Sequence, residues 1–296
     1  TYTAGSKVTL NGLGQQRSRL VLASGCRLPT TGILLWPEIK EGGGLTGVTL
    51  DLNGMRGSDA DDLLHTVVVY RGSNFVMNDA GIINADPSGI GRMSLLQIAA
   101  LDTVISNWQI TNSTFSLTKT TPLQTHAVNI VPGVAGGEAT RGYLSNNKAI
   151  NSNLTGTYGS TNVVNNEVTG WGYGPGIGTS GQVGPFPWLF GNYFGGNSVH
   201  DSAWVPGEDG GPCNCMEQSG KESRIIGKRG ENCGGGYLNY SGNVLSANNV
   251  WKNNNRRYDQ FVKSYMINAN YVDLNPDRDG SGFTSIGDVI IDDTGR

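Results

Sequence analysis

The constraint that weighs most on this chain is a spacing. Asn166-Glu-Val168, Asn197-Ser-Val199 and Asn248-Asn-Val250 recur in the second half, with a fainter copy at Asn270-Tyr-Val272; successive copies start 31, 51 and 22 residues apart. A repeated unit of this size cannot bury its apolar side alone and must stack on its neighbours, so the period is a stronger guide to architecture than local propensity. The shortest interval suits one turn of a parallel β-solenoid. The longer ones suit a turn with an inserted loop, and the Cys-bearing stretch 210–236 reads as that loop.

Composition points the same way. The chain carries 45 Gly and only 15% charged residues, and strong helix formers are sparse, which excludes a helical protein and favours short strands joined by tight turns. Runs such as "GVTLDLNG" (47–54), "HTVVVYRGSNFVMNDAGIINA" (65–85) and "HAVNIVPG" (126–133) supply the strands. Asn-Gly and Asp-Gly dipeptides at Asn11, Asn53, Asp209 and Asp279 are not flanked on both sides by alternating strands, so hairpins are disfavoured. The expected fold class is all-β, a parallel β-helix with loop insertions on its flank. Residues 1–44 read as a capping or lead-in segment and 45–296 as the β-helix domain.

A formal net charge of −3 offers no basic stripe for nucleic acid. No apolar run reaches membrane-span length, so no membrane insertion is expected, and the opening "TYTAGSKVTL" is not a signal peptide. Cys213, Cys215 and Cys233 share one Gly-rich stretch, with Cys26 far away. A disulfide, free thiols and a thiolate metal site are all open, although C-x-C lacks the spacer usual in structural zinc sites. The triplets beginning at Asn112, Asn153 and Asn239 are N-glycosylation sequons that matter only after eukaryotic secretion.

"NNEVTGWGYGPGIGTSG" and "GNYFGGNSVHDSA" resemble coils of right-handed parallel β-helix proteins of the pectate-lyase-like class, and "LTGVTLDLNGM" resembles the first coils of bacteriophage tailspike depolymerases. The resemblance spans residues 45–290 and is one of fold pattern, without a catalytic motif. It implies a right-handed solenoid that degrades a bacterial or acidic polysaccharide lying along a groove, a hydrolase in preference to a lyase. It also implies an extracellular or virion-surface location, and a homotrimer where virion-attached. A non-catalytic carbohydrate-binding adhesin and a structural spike or fibre use the same scaffold, since fold does not determine function.

The candidate chemistry follows from the repeat. Eleven residues after the repeated Asn stand Ile177, Glu208 and Asp259. Equal places on successive coils would set Glu208 and Asp259 one strand spacing apart, about 4.8 Å, close to the ~5–5.5 Å of a retaining glycosidase pair. A slip of one residue would stack Asp209 with Gln260 instead. Asp201 is a further candidate acid and His200 a candidate base. Solvated turn acids are the competing reading. Trp171 and Trp204 flank the repeat turns and are candidate sugar platforms; Arg256, Arg257 and Tyr258 are candidate substrate-binding groups. With Lys221 and Arg224, those arginines and the tyrosine would also supply the cation and base that a lyase needs. "DRDGSGFTSIGD" fits an EF-hand-like loop in which Asp277, Asp279, Ser281 and Asp288 would ligate a structural Ca²⁺. No organic cofactor is expected. His65 and His126 read as satisfied structural residues.

Overall fold

The computed structural model describes residues 8–26, 33–39, 41–56, 64–88, 92–100, 103–121, 124–132, 137–179, 190–203, 213–218, 222–239, 244–252, 254, 265–268, 271–273 and 283–291. Among them there is no helix. The strands form three ten-stranded sheets, with a two-stranded sheet of Val104–Ser106 and Glu138–Thr140 beside them. One coil contributes Asn162–Val164 to the first sheet, Glu167–Thr169 to the second and Ile177–Gly178 to the third; the next contributes Tyr193–Gly195, Ser198–His200 and Asn214–Gln218. Neighbouring strands are parallel, except that Tyr265–Asn268 runs antiparallel to Tyr271–Asp273. The protein is a parallel β-solenoid.

The repeat exists because of the corner between the first and second sheets, a two-residue turn. Its first residue has positive φ in nine successive coils, as Gly47, Asp79, Asn112, Asn146, Asn165, Gly196, Gly227, Asn248 and Gly287. Only Gly, Asn and Asp enter that backbone region at low cost, which accounts for the Asn- and Gly-rich composition. The second residue turns inward. Asn147, Asn166 and Asn197 form a buried column there, in which the Asn166 Oδ1 accepts the Asn147 amide at 3.0 Å and the Asn197 Oδ1 accepts the Asn166 amide at 2.9 Å. Each Nδ2 donates back to a carbonyl of an earlier coil, Asn166 to Leu144 and Asn197 to Val163, both at 2.8 Å. Ser113 extends the column on one side, and Asn249 and Asp288 on the other.

This column corrects the sequence register. Asn166 and Asn197 are equivalent, but the next place belongs to Lys228, and Asn249 follows it rather than Asn248. The interval of 51 residues is therefore two coils. Residues 210–236 are not an inserted loop, because Asn214–Gln218, Arg224–Ile226 and Arg229–Glu231 take places in the three sheets. The Tyr271–Asp273 strand pairs in the third sheet with Gly235–Asn239, so Asn270 starts no copy of the repeat. Stacking also begins before residue 45, since Thr9–Asn11 and Arg19–Val21 pair with Gly44–Thr46 and Thr49–Asp51.

The core is the lumen of the coil. Leu50, Ile82, Phe115, Ala149, Val168, Val199 and Trp251 line it from the second sheet in register. Aromatic pairs fill it, Trp108 edge-on to Tyr158 at 6.1 Å and Tyr237 stacked on Trp251 at 5.6 Å. Cys215 and Cys233 form a disulfide inside this core; Cys213 stands outside that bond, its thiol pushed up to about 12 by burial. Lys228 is buried, with Nζ 3.3 Å from the Cys215 carbonyl oxygen and 5.9 Å from the Trp251 ring centroid. Burial holds its ammonium pKa well below the ordinary value.

Two outcomes follow. Asn197→Ala strands the Asn166 amide and the Val163 carbonyl in the core and costs about 2–4 kcal/mol in denaturant unfolding, whereas the exposed Asn162→Ala stays within about 0.5 kcal/mol. The unfolded chain protonates Lys228 near 10.5 and the folded chain only at lower pH. Its stability contribution is thus complete above 10.5 and is lost as pH falls toward the folded value. Lys228→Met removes that loss: the variant melts higher than the parent at neutral pH, and the gap narrows as pH rises toward the lysine range.

Candidate functional site

The three sheets offer three outer faces with different chemistry. On the third sheet, Val68, Leu96, Val128, Leu154, Ile177 and Met216 lie in register in the core. The next residue along each strand faces out, giving the column Val69, Gln97, Asn129, Thr155, Gly178 and Glu217. A second outer column holds Thr66, Ser94, His126 and Asn153. Between these two columns run side-chain hydrogen bonds, Thr66 Oγ1 to Gln97 Oε1 at 2.8 Å and Asn129 Nδ2 to Ser94 Oγ at 3.3 Å. The Nδ1 of His126 lies 2.6 Å from Asn153 Oδ1 and 2.9 Å from Thr155 Oγ1. Asn153 Nδ2 donates to the Tyr173 carbonyl, which orients the amide so that Oδ1 accepts from His126 Nδ1 and the imidazole lone pair falls on Nε2.

Glu217 is the one carboxyl in these columns. Its Oε1 accepts a 2.8 Å hydrogen bond from Asn214 Nδ2. Removal from water pushes its pKa up to about 7, and the Asn214 bond offsets only part of that rise. Gly178 separates Glu217 from Thr155 in the column. With φ at 154° and a would-be Cβ only 1.9 Å from the Glu217 carbonyl oxygen, no larger residue fits there, and both Gly178 and Thr155 are buried. Two strand spacings set the Glu217 and Thr155 backbones about 9–10 Å apart. Thr66, Ser94, Asn153 and Thr155 are buried, so the half-buried groups of these columns are Gln97, His126, Asn129 and the one carboxyl, Glu217, whose pKa is raised.

The second sheet's outer face is charged and internally paired. Lys148 Nζ lies 3.1 Å from Glu167 Oε2, and the Glu167 Oε1 lies 3.6 Å from His200 Nε2. His200 Nδ1 contacts Asp201 Oδ2 at 2.8 Å, and Asn232 Nδ2 donates to Asp201 Oδ1 at 2.7 Å. Those two hydrogen bonds, His200's first, hold the Asp201 carboxyl below the ordinary carboxylate range. Asp201 is a corner residue with φ of 55°, so its place follows from backbone geometry. Arg229 grips Glu231 through Nε and Nη2, with Lys252 3.4 Å away on the other oxygen, and lowers that carboxyl as well. Carboxylates held ionised in this way are poor proton donors at neutral pH.

The expected residues are distributed as follows. His200 and Asp201 do meet, within the ion-pair array of the second sheet. Trp171 is fully buried, its Nε1 donating to the Gly174 carbonyl at 2.9 Å, so its ring is core and offers no platform to a sugar. Ile177 pairs with Met216, which overturns its alignment with Glu208. Asp288 is half-buried at the end of the column: its Oδ1 accepts from the Asn249 amide at 2.8 Å, and its Oδ2 from the Ser246 hydroxyl. That is a different duty from the twelfth position of a calcium loop. Glu208, Asp209, Trp204, Arg256, Arg257, Tyr258, Asp259, Asp277, Asp279 and Ser281 lie outside the described residues, as does the His65 side chain. Among the described residues, no three His, Cys, Asp or Glu side chains converge as a metal site. Asn153 is buried, which closes that sequon in the folded protein. Sequence reasoning missed Glu217; the available signal was one acid in the otherwise uncharged strand "NCMEQ".

Glu217 is protonated in the folded chain up to about pH 7 but in the unfolded chain only to about 4.5. Native stability attributable to it is therefore complete below 4.5 and lost as pH rises through 7. Glu217→Gln, which keeps an acceptor for Asn214, removes this dependence: melting temperatures of variant and parent match at low pH and separate in the variant's favour through that window. No known protein family, curated protein or solved structure matches the chain.

Proposed function

We propose that the protein is a polysaccharide-degrading enzyme, a glycoside hydrolase, that holds a glycan chain along the outer face of the third sheet and uses Glu217 as the general acid. The observation that carries this reading is the protonated carboxyl on a face of neutral hydrogen-bonding groups. Gln97 and Asn129, half-buried on that face, match the donor and acceptor pattern of sugar hydroxyls without the penalty of burying an unpaired charge. Glu217, with its pKa near 7, is suited to give a proton to the bridging oxygen as the glycosidic bond breaks. Water supplies hydroxide to the anomeric carbon, and its proton passes to a second carboxylate. Glu208 and Asp209, which precede the Asn214–Gln218 strand in the sequence, and Asp259 are the candidates for that base. The solenoid fold and the likeness to coils of polysaccharide-active β-helix proteins support the substrate class.

A panel of bacterial capsules, O-antigens, alginate and pectin, assayed for new reducing ends while ultraviolet absorbance of unsaturated product is monitored, tests this reading. The expected result is reducing ends without that absorbance, a kcat that declines as pH rises above about 7, and a loss of about 10²-fold or more in Glu217→Gln. Full activity in Glu217→Gln, or none on the whole panel, contradicts it; unsaturated product assigns a lyase instead.

A further inference from the structure

The first sheet carries on its outer face a column unlike either of the others. Tyr143, Asn162, Tyr193 and Arg224 are register partners on four successive strands. Their inward neighbours Leu144, Val163, Phe194 and Ile225 are core residues, so the four side chains point away from the lumen. Tyr143 is 41% exposed, Asn162 and Arg224 are exposed, and Tyr193 is half-buried. In a molecule that ties its asparagines into columns and its charges into pairs, these four side chains have no hydrogen-bond or ion-pair partner among the described residues.

Tyr193 is held in an unusual pose. A Cβ placed on Gly195, two residues along the same strand, would lie 2.7 Å from its ring carbon and hydroxyl oxygen. The hydroxyl end of the ring therefore lies over the bare Gly195 backbone, where any larger residue would displace it. A phenol ring seated against a sheet is an apolar plane of the kind that the C–H face of a sugar ring packs against. Tyr143 stands two strand spacings away, about 9–10 Å, with the Asn162 amide between the two rings and the Arg224 guanidinium next to Tyr193 on the far side.

We infer that this column, Tyr143–Asn162–Tyr193–Arg224, is a second, non-catalytic glycan-binding site that takes an acidic oligosaccharide lying along the solenoid axis. The two rings carry sugar faces, Asn162 meets the hydroxyls between them, and Arg224 pairs with a carboxylate or sulfate on the chain. An added peptide strand is excluded as occupant, because each of these four strands already has a hydrogen-bonded neighbour on both sides. The flanking Gln109 is polar and exposed, so the patch also lacks the contiguous apolar area of a protein interface. This site lies on a different sheet from Glu217 and does not depend on the hydrolase reading.

Affinity electrophoresis through gels containing polygalacturonate, alginate or heparin, against neutral dextran, tests the inference. The expected result is retardation by at least one acidic polymer and not by dextran, retained in Glu217→Gln. Arg224→Gln and Tyr143→Ala should each weaken retardation about tenfold. Gly195→Ala, which removes no ligand contact but lifts the Tyr193 ring, should weaken it similarly, with the melting temperature of the Arg224 and Tyr143 variants unchanged. Absence of retardation on all three acidic polymers, or retardation untouched by the Arg224 and Tyr143 substitutions, overturns the site; equal retardation by dextran overturns its acidic selectivity.

Discussion

Everything in this solenoid depends on how buried peptide groups are satisfied at one corner. Where the chain turns from the first sheet to the second, the ladder bonds of both sheets are interrupted and polar backbone faces the lumen. An unpaired buried amide is costly. Asparagine solves this with one side chain, because its oxygen accepts the amide of the preceding coil and its nitrogen donates to a carbonyl there. Its repetition at Asn147, Asn166 and Asn197 stacks coils in register despite their different lengths, since successive members lie only 19 and then 31 residues apart. Register is what gives the outer faces their meaning. Once the inward residue of each strand is fixed, its neighbours form straight columns, and a few side chains per coil add up to a surface.

Those surfaces differ in a way that composition cannot show. The third sheet gathers neutral hydrogen-bonding groups and one carboxyl whose charge is suppressed by burial. The second gathers acids and bases that neutralise one another. The first leaves two tyrosines, an amide and a guanidinium without partners. The proton-donating acid and the chain-holding platform proposed for this protein are different physical requirements, and they fall on different sheets. The pairing on the second sheet explains why Asp201, whose carboxyl the His200 and Asn232 hydrogen bonds hold below the ordinary range, is poorly suited to the acid role expected of it.

The sequence made the fold class and the equivalence of Asn166 with Asn197 legible, because both copies place the column residue one position before an outward residue and two before a buried Val. It misread Asn248 because two adjacent asparagines serve different ends, the first for its tolerance of positive φ and the second for its side-chain bonds. It missed a whole coil because that coil's column residue is Lys228, whose side chain has no acceptor and matches no Asn pattern. The offset of eleven failed for a related reason. Ile177 lies eight positions after Thr169, but its register partner Met216 lies sixteen after His200, so a fixed count from the corner does not reach equivalent places in the third sheet. Trp171 could not be placed by pattern at all, since its ring lies against Gly176 of its own coil, where Val199 of the next coil also packs.

The most direct test of the coil register is a pair of engineered cross-links. Ser198 and Arg229 are register partners on adjacent coils, and Val250 lies one coil further. Adjacent strands hold Cα atoms about 4.8 Å apart, within disulfide reach, whereas two spacings exceed the ~7 Å limit. Oxidation followed by peptide mass mapping should find the cross-link in the Ser198→Cys, Arg229→Cys protein and not in the Ser198→Cys, Val250→Cys protein. The reverse pattern would place Asn197 directly beside the Asn248-Asn249 corner, remove the Lys228 coil from between them, and with it the columns on which the sites are built.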